Sequence, residues 1–151
     1  MKKHPIIITL LLFFIVSCGY KPIYLSEKNN FNIEKIESNK NNRLNTLIKN
    51  NLNNLSNKES EKKISLIINT EKGKSVISKD KKGNAQLLAM SLLVNVQVYE
   101  KGKKKSEKQF VENFSYSNNS NKFDLSKYEK SIERNLKDKI IKNINEYLVS
   151  Y

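Results

Sequence analysis

The chain has 151 residues, with 28 Lys and Arg against 15 Asp and Glu and a formal charge of +13. Only Arg43 and Arg134 are Arg, the side chain suited to bidentate phosphate and base contacts, which argues against a nucleic-acid partner. One His, one Cys and four scattered Gly leave no His/Cys metal site, no ready base and nucleophile, and no Gly-rich phosphate loop, so neither catalysis nor a cofactor is expected.

In chain order, Met1-Lys2-Lys3-His4 is a short positive start, followed by an apolar run from Ile6 to Val16 and then Ser17-Cys18-Gly19. A spanning helix needs roughly 20 apolar residues, so this run is too short to cross a bilayer and has the parts of a secretory signal peptide. Cys18 is the only Cys, and an exported chain that used disulfides would carry an even number. Residues 1–17 are therefore expected to be removed, taking His4 and two positive charges with them. Residues 18–30 form a tether, and residues 31–151 form a single domain.

Phe31 to Ile36 has the partial alternation of a short strand. Asn39 to Asn42 supply N-cap chemistry, and Leu44, Leu47, Ile48, Leu52 and Leu55 recur as one stripe of an amphipathic helix. Asn57 to Lys63 is a charged connection. Ile64, Leu66 and Ile68 share one face of a second strand, with Glu71-Lys72-Gly73-Lys74 turn-like after it and Val76-Ile77 able to continue the sheet. Lys79 to Asn84 reads as a basic loop. Leu92, Val94, Val96 and Val98 alternate with Asn95, Gln97 and Tyr99, and Leu87 to Met90 can extend that strand. A hairpin turn follows at Glu100-Lys101-Gly102-Lys103, and Phe110, Phe114 and Tyr116 share a face of the returning strand.

The last element is a long helix. Ser126 and Glu129 have capping-box spacing. Leu125, Tyr128, Ile132, Leu136, Ile140, Ile144 and Leu148 then form its stripe, widened by Ile141 and Tyr147. The fold class expected is α+β, with two helices packed on one face of a roughly four-stranded, mostly antiparallel sheet. The Lys surplus sits among abundant Asn and Ile. It reads either as solvated surface of biased composition or as a basic surface matched to an anionic partner.

Two resemblances sharpen this reading. Ile15-Val16-Ser17-Cys18 resembles the lipobox of bacterial lipoproteins, in which the Cys is acylated and becomes the first residue of the mature chain. That implies attachment of lipid at Cys18 and tethering to an envelope membrane, since several acyl chains anchor stably where one does not. Gly19 in place of Asp implies the outer membrane, at its periplasmic face. Cys18-Gly19-Tyr20-Lys21-Pro22-Ile23-Tyr24 then resembles the mature start of the LptE family of lipopolysaccharide-assembly lipoproteins. The order of the later elements is similar to that family over nearly the whole remaining chain. The resemblance implies a non-enzymatic plug that helps the outer-membrane β-barrel LptD assemble and binds lipopolysaccharide on its way to the surface. The alternative is another envelope scaffold or a transporter-associated lipoprotein. Lys-rich segments offer point-charge partners to acidic glycolipid groups. The candidates are Lys72, Lys74, Lys79, Lys81 and Lys82, with Lys101, Lys103, Lys104 and Lys105.

Overall fold

A computed structural model of the chain describes residues 29–40 and 42–151. Cys18 and the stretch up to Tyr24 lie outside them. The elements are β1 (Asn32–Glu37), α1 (Arg43–Leu55), β2 (Lys63–Lys79), β3 (Ala85–Glu100), β4 (Lys103–Ser117) and α2 (Lys122–Ser150). They build one four-stranded sheet in the order β1-β2-β3-β4. β1 and β2 are parallel, and the two later pairs are antiparallel. A parallel pair needs a crossover, and α1 supplies it. The expected α+β architecture is what the chain adopts.

Both helices cover the same face. Period-2 alternation sends Leu88, Met90, Leu92, Val94, Val96 and Val98 of β3 inward, beside Ile64, Leu66 and Ile68 of β2. A register shift between Ile33 and Lys35 lets Ile33 and Ile36, three residues apart, both turn inward from β1. Ile48 and Leu52 of α1 and Leu125, Ile132, Leu136, Ile140, Ile141, Ile144 and Leu148 of α2 close the core. Two residues assigned to these stripes stay partly outside: Tyr128 is 48% exposed and Phe114 43%. Tyr128 instead packs edge-on against Tyr116, with ring centroids 6.1 Å apart. Among the described residues no element covers the opposite face of the sheet, where Leu87 and Leu93 are half-buried and Val111 is exposed.

Asn42 caps α1, its Oδ1 accepting from the Asn45 amide at 2.7 Å. The capping box expected at Ser126 and Glu129 does not form. Asn121 caps α2 a turn earlier, accepting from the amides of Phe123 (3.0 Å) and Asp124 (3.4 Å), so Glu129 lies inside the helix and is free to reach the sheet. The turn expected at Glu71–Lys74 is also absent, because β2 runs unbroken through it. Gly73 is needed there for close approach, not for a turn. It pairs with Ser91, and a Cβ on it would lie 2.5 Å from the Ser91 Oγ.

The real turns lie at the two ends of the sheet. At one end, Asp80 Oδ1 accepts from the amides of Lys82 and Asn84, both at 2.8 Å, and Gly83 takes φ +84°. The Asn84 side chain, then its backbone amide, holds the Asp80 carboxyl below its ordinary value. At the other end, Lys101 and Gly102 have φ of 51° and 75°, the positive pair that matches a two-residue hairpin to strand twist. Asn29 and Asn30, counted with the tether in the sequence, are already held by the helices. Asn29 Nδ2 donates to the Leu55 carbonyl at 2.6 Å and Asn145 Oδ1 at 3.0 Å, and Asn30 Nδ2 donates to the Val149 carbonyl at 3.2 Å.

Candidate functional site

α1 and α2 share one face of the sheet, and their N-terminal halves stand apart. The groove between them has a volume of about 790 Å³. Its floor is Met90 and Thr70, and Leu44 and Leu47 line the α1 side. Thr70 is buried, and its Oγ1 finds no hydrogen-bond partner among the described residues. A buried unpaired hydroxyl costs about 1–3 kcal/mol.

The rim is basic. Arg43 comes from α1, Lys72 from β2, and Lys130, Arg134 and Lys137 from α2. The two acids on the rim are already engaged. Lys72 Nζ lies 2.6 Å from Glu133 Oε2, while Glu129 pairs with Lys74 and accepts from the Tyr116 hydroxyl at 2.8 Å. Lys137 meets Asp138 at 3.0 Å. Arg43, Lys130 and Arg134 have no ion-pair partner among the described residues. Lys130 and Arg134 are four apart on α2, a like-charge spacing that disfavours the helix unless an anion sits between them. Both of the chain's Arg residues thus border one groove with a partly apolar floor, a shape suited to an anionic head on an apolar stem.

This fold is shared with solved bacterial lipoproteins. The Acinetobacter baumannii minor lipoprotein matches with a TM-score of 0.60 at 14% identity, covering 81% of this chain and 92% of its own. Rare lipoprotein B from Shewanella oneidensis matches at 0.54 with 16% identity, over 81% of this chain and 98% of its own. Lipoprotein B from Nitrosomonas europaea matches at 0.57 with 9% identity, over 78% and 80%. No protein-family model and no curated protein matches the sequence. At such low identity the likeness speaks for the shared fold.

The candidates named from the sequence separate into three places. Lys72 and Lys74 stand on a strand rather than a loop, each tied to a carboxylate of α2. Lys79 ends β2 and Lys81 and Lys82 form the turn beyond it. Lys101 sits in the β3–β4 turn, and Lys103, Lys104 and Lys105 begin β4 at the other end of the sheet. Lys104 pairs with Glu107, and Lys105 lies 3.9 Å from Glu100. Hydrogen bonds from Lys104, then Asn95 and Gln97, hold the Glu107 carboxyl down to about 2. Only Lys72 of the nine lines the groove. The sequence sets Arg43 and Arg134 apart only as its two Arg residues, without placing them at a site, and gives no sign of Lys130 or Lys137. The rarity of Arg in so Lys-rich a chain was the available signal, because it makes each Arg a departure from the local composition.

Proposed function

We propose that this protein is an envelope lipoprotein of the LptE type, anchored through Cys18, that supports an outer-membrane β-barrel of the LptD type and holds lipopolysaccharide without chemically changing it. The observation that carries the reading is the groove whose acids are neutralised internally while Arg43, Lys130 and Arg134 are left without partners. The guanidinium groups would grip a glycolipid phosphate, and an acyl stem would lie along Leu44, Leu47 and Met90. Lys stems at the rim can follow the acyl surface while their ammonium groups stay on the phosphate. No proton transfer or nucleophilic attack is required. The uncovered sheet face, with Leu87, Leu93 and Val111, is the surface offered to the barrel. The fold shared with other lipoproteins and the Cys18–Tyr24 motif support the same assignment.

The test is crosslinked affinity purification of the intact lipoprotein together with depletion in its own cell. A large β-barrel should be recovered, and lipopolysaccharide should fail to reach the surface. Arg43→Ala with Arg134→Ala should weaken lipopolysaccharide retention by at least tenfold, given about 1.5–3 kcal/mol for a hydrogen bond to a charged group. Normal surface lipopolysaccharide after depletion, or recovery of an inner-membrane transporter in place of a barrel, would overturn the assignment.

A further inference from the structure

The two ends of the sheet are both basic, so charge alone does not distinguish them. The path of the chain does. Asn29 is held by Leu55 and Asn145, Asn30 by Val149, and the Ser60 hydroxyl donates to the Asn30 carbonyl at 2.7 Å. Phe31, the next residue, is fully buried. The chain therefore joins the domain where both helices finish. Because β1 begins opposite Lys63 and Ser65 pairs with Tyr99, this is also the end of the β3–β4 turn.

Eleven residue steps separate Cys18 from Asn29. At no more than about 3.6 Å each, they span at most about 40 Å. β3 alone has 16 residues. At about 3.3 Å per residue it extends roughly 50 Å, so the turn carrying Lys81 and Lys82 lies farther from Asn29 than the whole tether reaches. An anchor at Cys18 holds the β3–β4 end near the bilayer and lets the other end project away.

The near end has the chemistry of a bilayer interface. Lys101 and Lys103 have no ion-pair partner among the described residues, while Glu100 and Glu107 are met by Lys105 and Lys104. Lys62 Nζ lies 4.7 Å above the Tyr151 ring, and Lys108 Nζ lies 4.9 Å above Tyr147. Amphipathic rings and long cationic stems together suit the headgroup layer. Glu59 and Glu61 on the same end reduce the net charge without lying in the turn.

We propose that, before a barrel takes up the domain, this end, with Lys62, Lys101, Lys103, Lys108 and Tyr151, docks on an anionic lipid surface and stands the domain upright on its anchor. The proposal rests on the lipoprotein reading for the anchor only. It gives the chain a fixed polarity, with the Lys79–Lys82 turn presented away from the membrane. Each basic group at an anionic surface strengthens attachment about fivefold.

The test uses the full acylated chain in vesicles of phosphatidylethanolamine and phosphatidylglycerol, and in phosphatidylcholine alone. Lys101→Cys and Lys82→Cys each remove one lysine and accept one environment-sensitive label, acylation having blocked Cys18. The label at 101 should be quenched by brominated lipid in the anionic vesicles at least threefold more than the label at 82. In phosphatidylcholine that difference should shrink to what the tether alone imposes, with quenching at 101 falling at least twofold. Equal quenching at both positions, undiminished quenching at 101 in phosphatidylcholine, or quenching that requires an added barrel protein would each overturn the proposal. The mass of the N-terminal peptide from the same preparation judges the anchor separately. If Cys18 is unmodified, the lipoprotein reading fails, and cosedimentation of the chain with anionic vesicles decides the docking. Retention that Lys101→Gln with Lys103→Gln abolishes would support docking, and no retention would overturn it.

Discussion

Glu129 joins the long helix to the sheet, and its environment pulls its proton affinity two ways. Partial burial raises the pKa of the carboxyl, but hydrogen bonds from Lys74 and Tyr116, with the charges of Lys74 and Lys72, outweigh that and leave it below 4.5. Burial first, and then the bond to Glu129, pushes the Tyr116 phenol above its usual range. A depressed carboxyl stabilises the fold above its unfolded value, and that contribution is lost as pH falls through the folded value. Thermal unfolding should therefore fall more steeply below about pH 4.5 in the natural chain than in Glu129→Gln. Parallel slopes in scanning calorimetry would show that the contact carries no weight. The same residue shows why capping-box spacing alone does not mark a helix start. Glu129 stands three after Ser126, the spacing of a capping box, yet Asn121 accepts two amides and claims the helix start first.

At the scale of the element, the strands and helices differ in how openly they announce themselves. β3 alternates along its whole length, and α1 and α2 repeat apolar residues every three or four positions, so their type is plain in the sequence. The second half of β2 is not. Lys72 and Lys74 occupy positions on the covered face where an apolar residue would normally stand, and Gly73 between them imitates a turn. Their partners, Glu133 and Glu129, are more than fifty residues away in sequence. No local pattern could disclose that these lysines point toward a helix. Gly73 also gives a sharp test. In a strand interior Ala is favoured over Gly by about 0.5–1 kcal/mol, provided there is room for its Cβ. In a Ser91→Ala background, Gly73→Ala should gain that amount in denaturant unfolding, because the obstructing Oγ is gone. With Ser91 in place the gain should shrink or reverse as the hydroxyl is forced to turn. An equal gain in both backgrounds would mean that Ser91 does not constrain the strand.

For the whole molecule, the decisive arrangement is of ends and faces. One face of the sheet is sealed by both helices, the other is open, and a basic groove separates the N-terminal halves of the helices. On the lipoprotein reading, stable anchoring rests on the acyl chains at Cys18, with the basic end adding a salt-sensitive contact. Cys18→Ala should release the protein from membranes into the carbonate-washed supernatant, as fractionation and immunoblotting would show. Retention after high-salt and carbonate washing would mean that acylation is not what holds it.

The sequence by itself determined the fold class, the helical stripes, the β3 alternation and the case for an anchor at Cys18. Each of these is carried by neighbouring residues, through a period of 2 or 3.6 or a contiguous motif. Only the tertiary structure decided that Lys72 and Lys74 are tied to α2, that both Arg residues flank one groove, and that the two lysine turns lie at opposite ends of the sheet. Those are relations between residues far apart in the chain. Packing and register create them, and side-chain charge becomes selective only once its partners are in place.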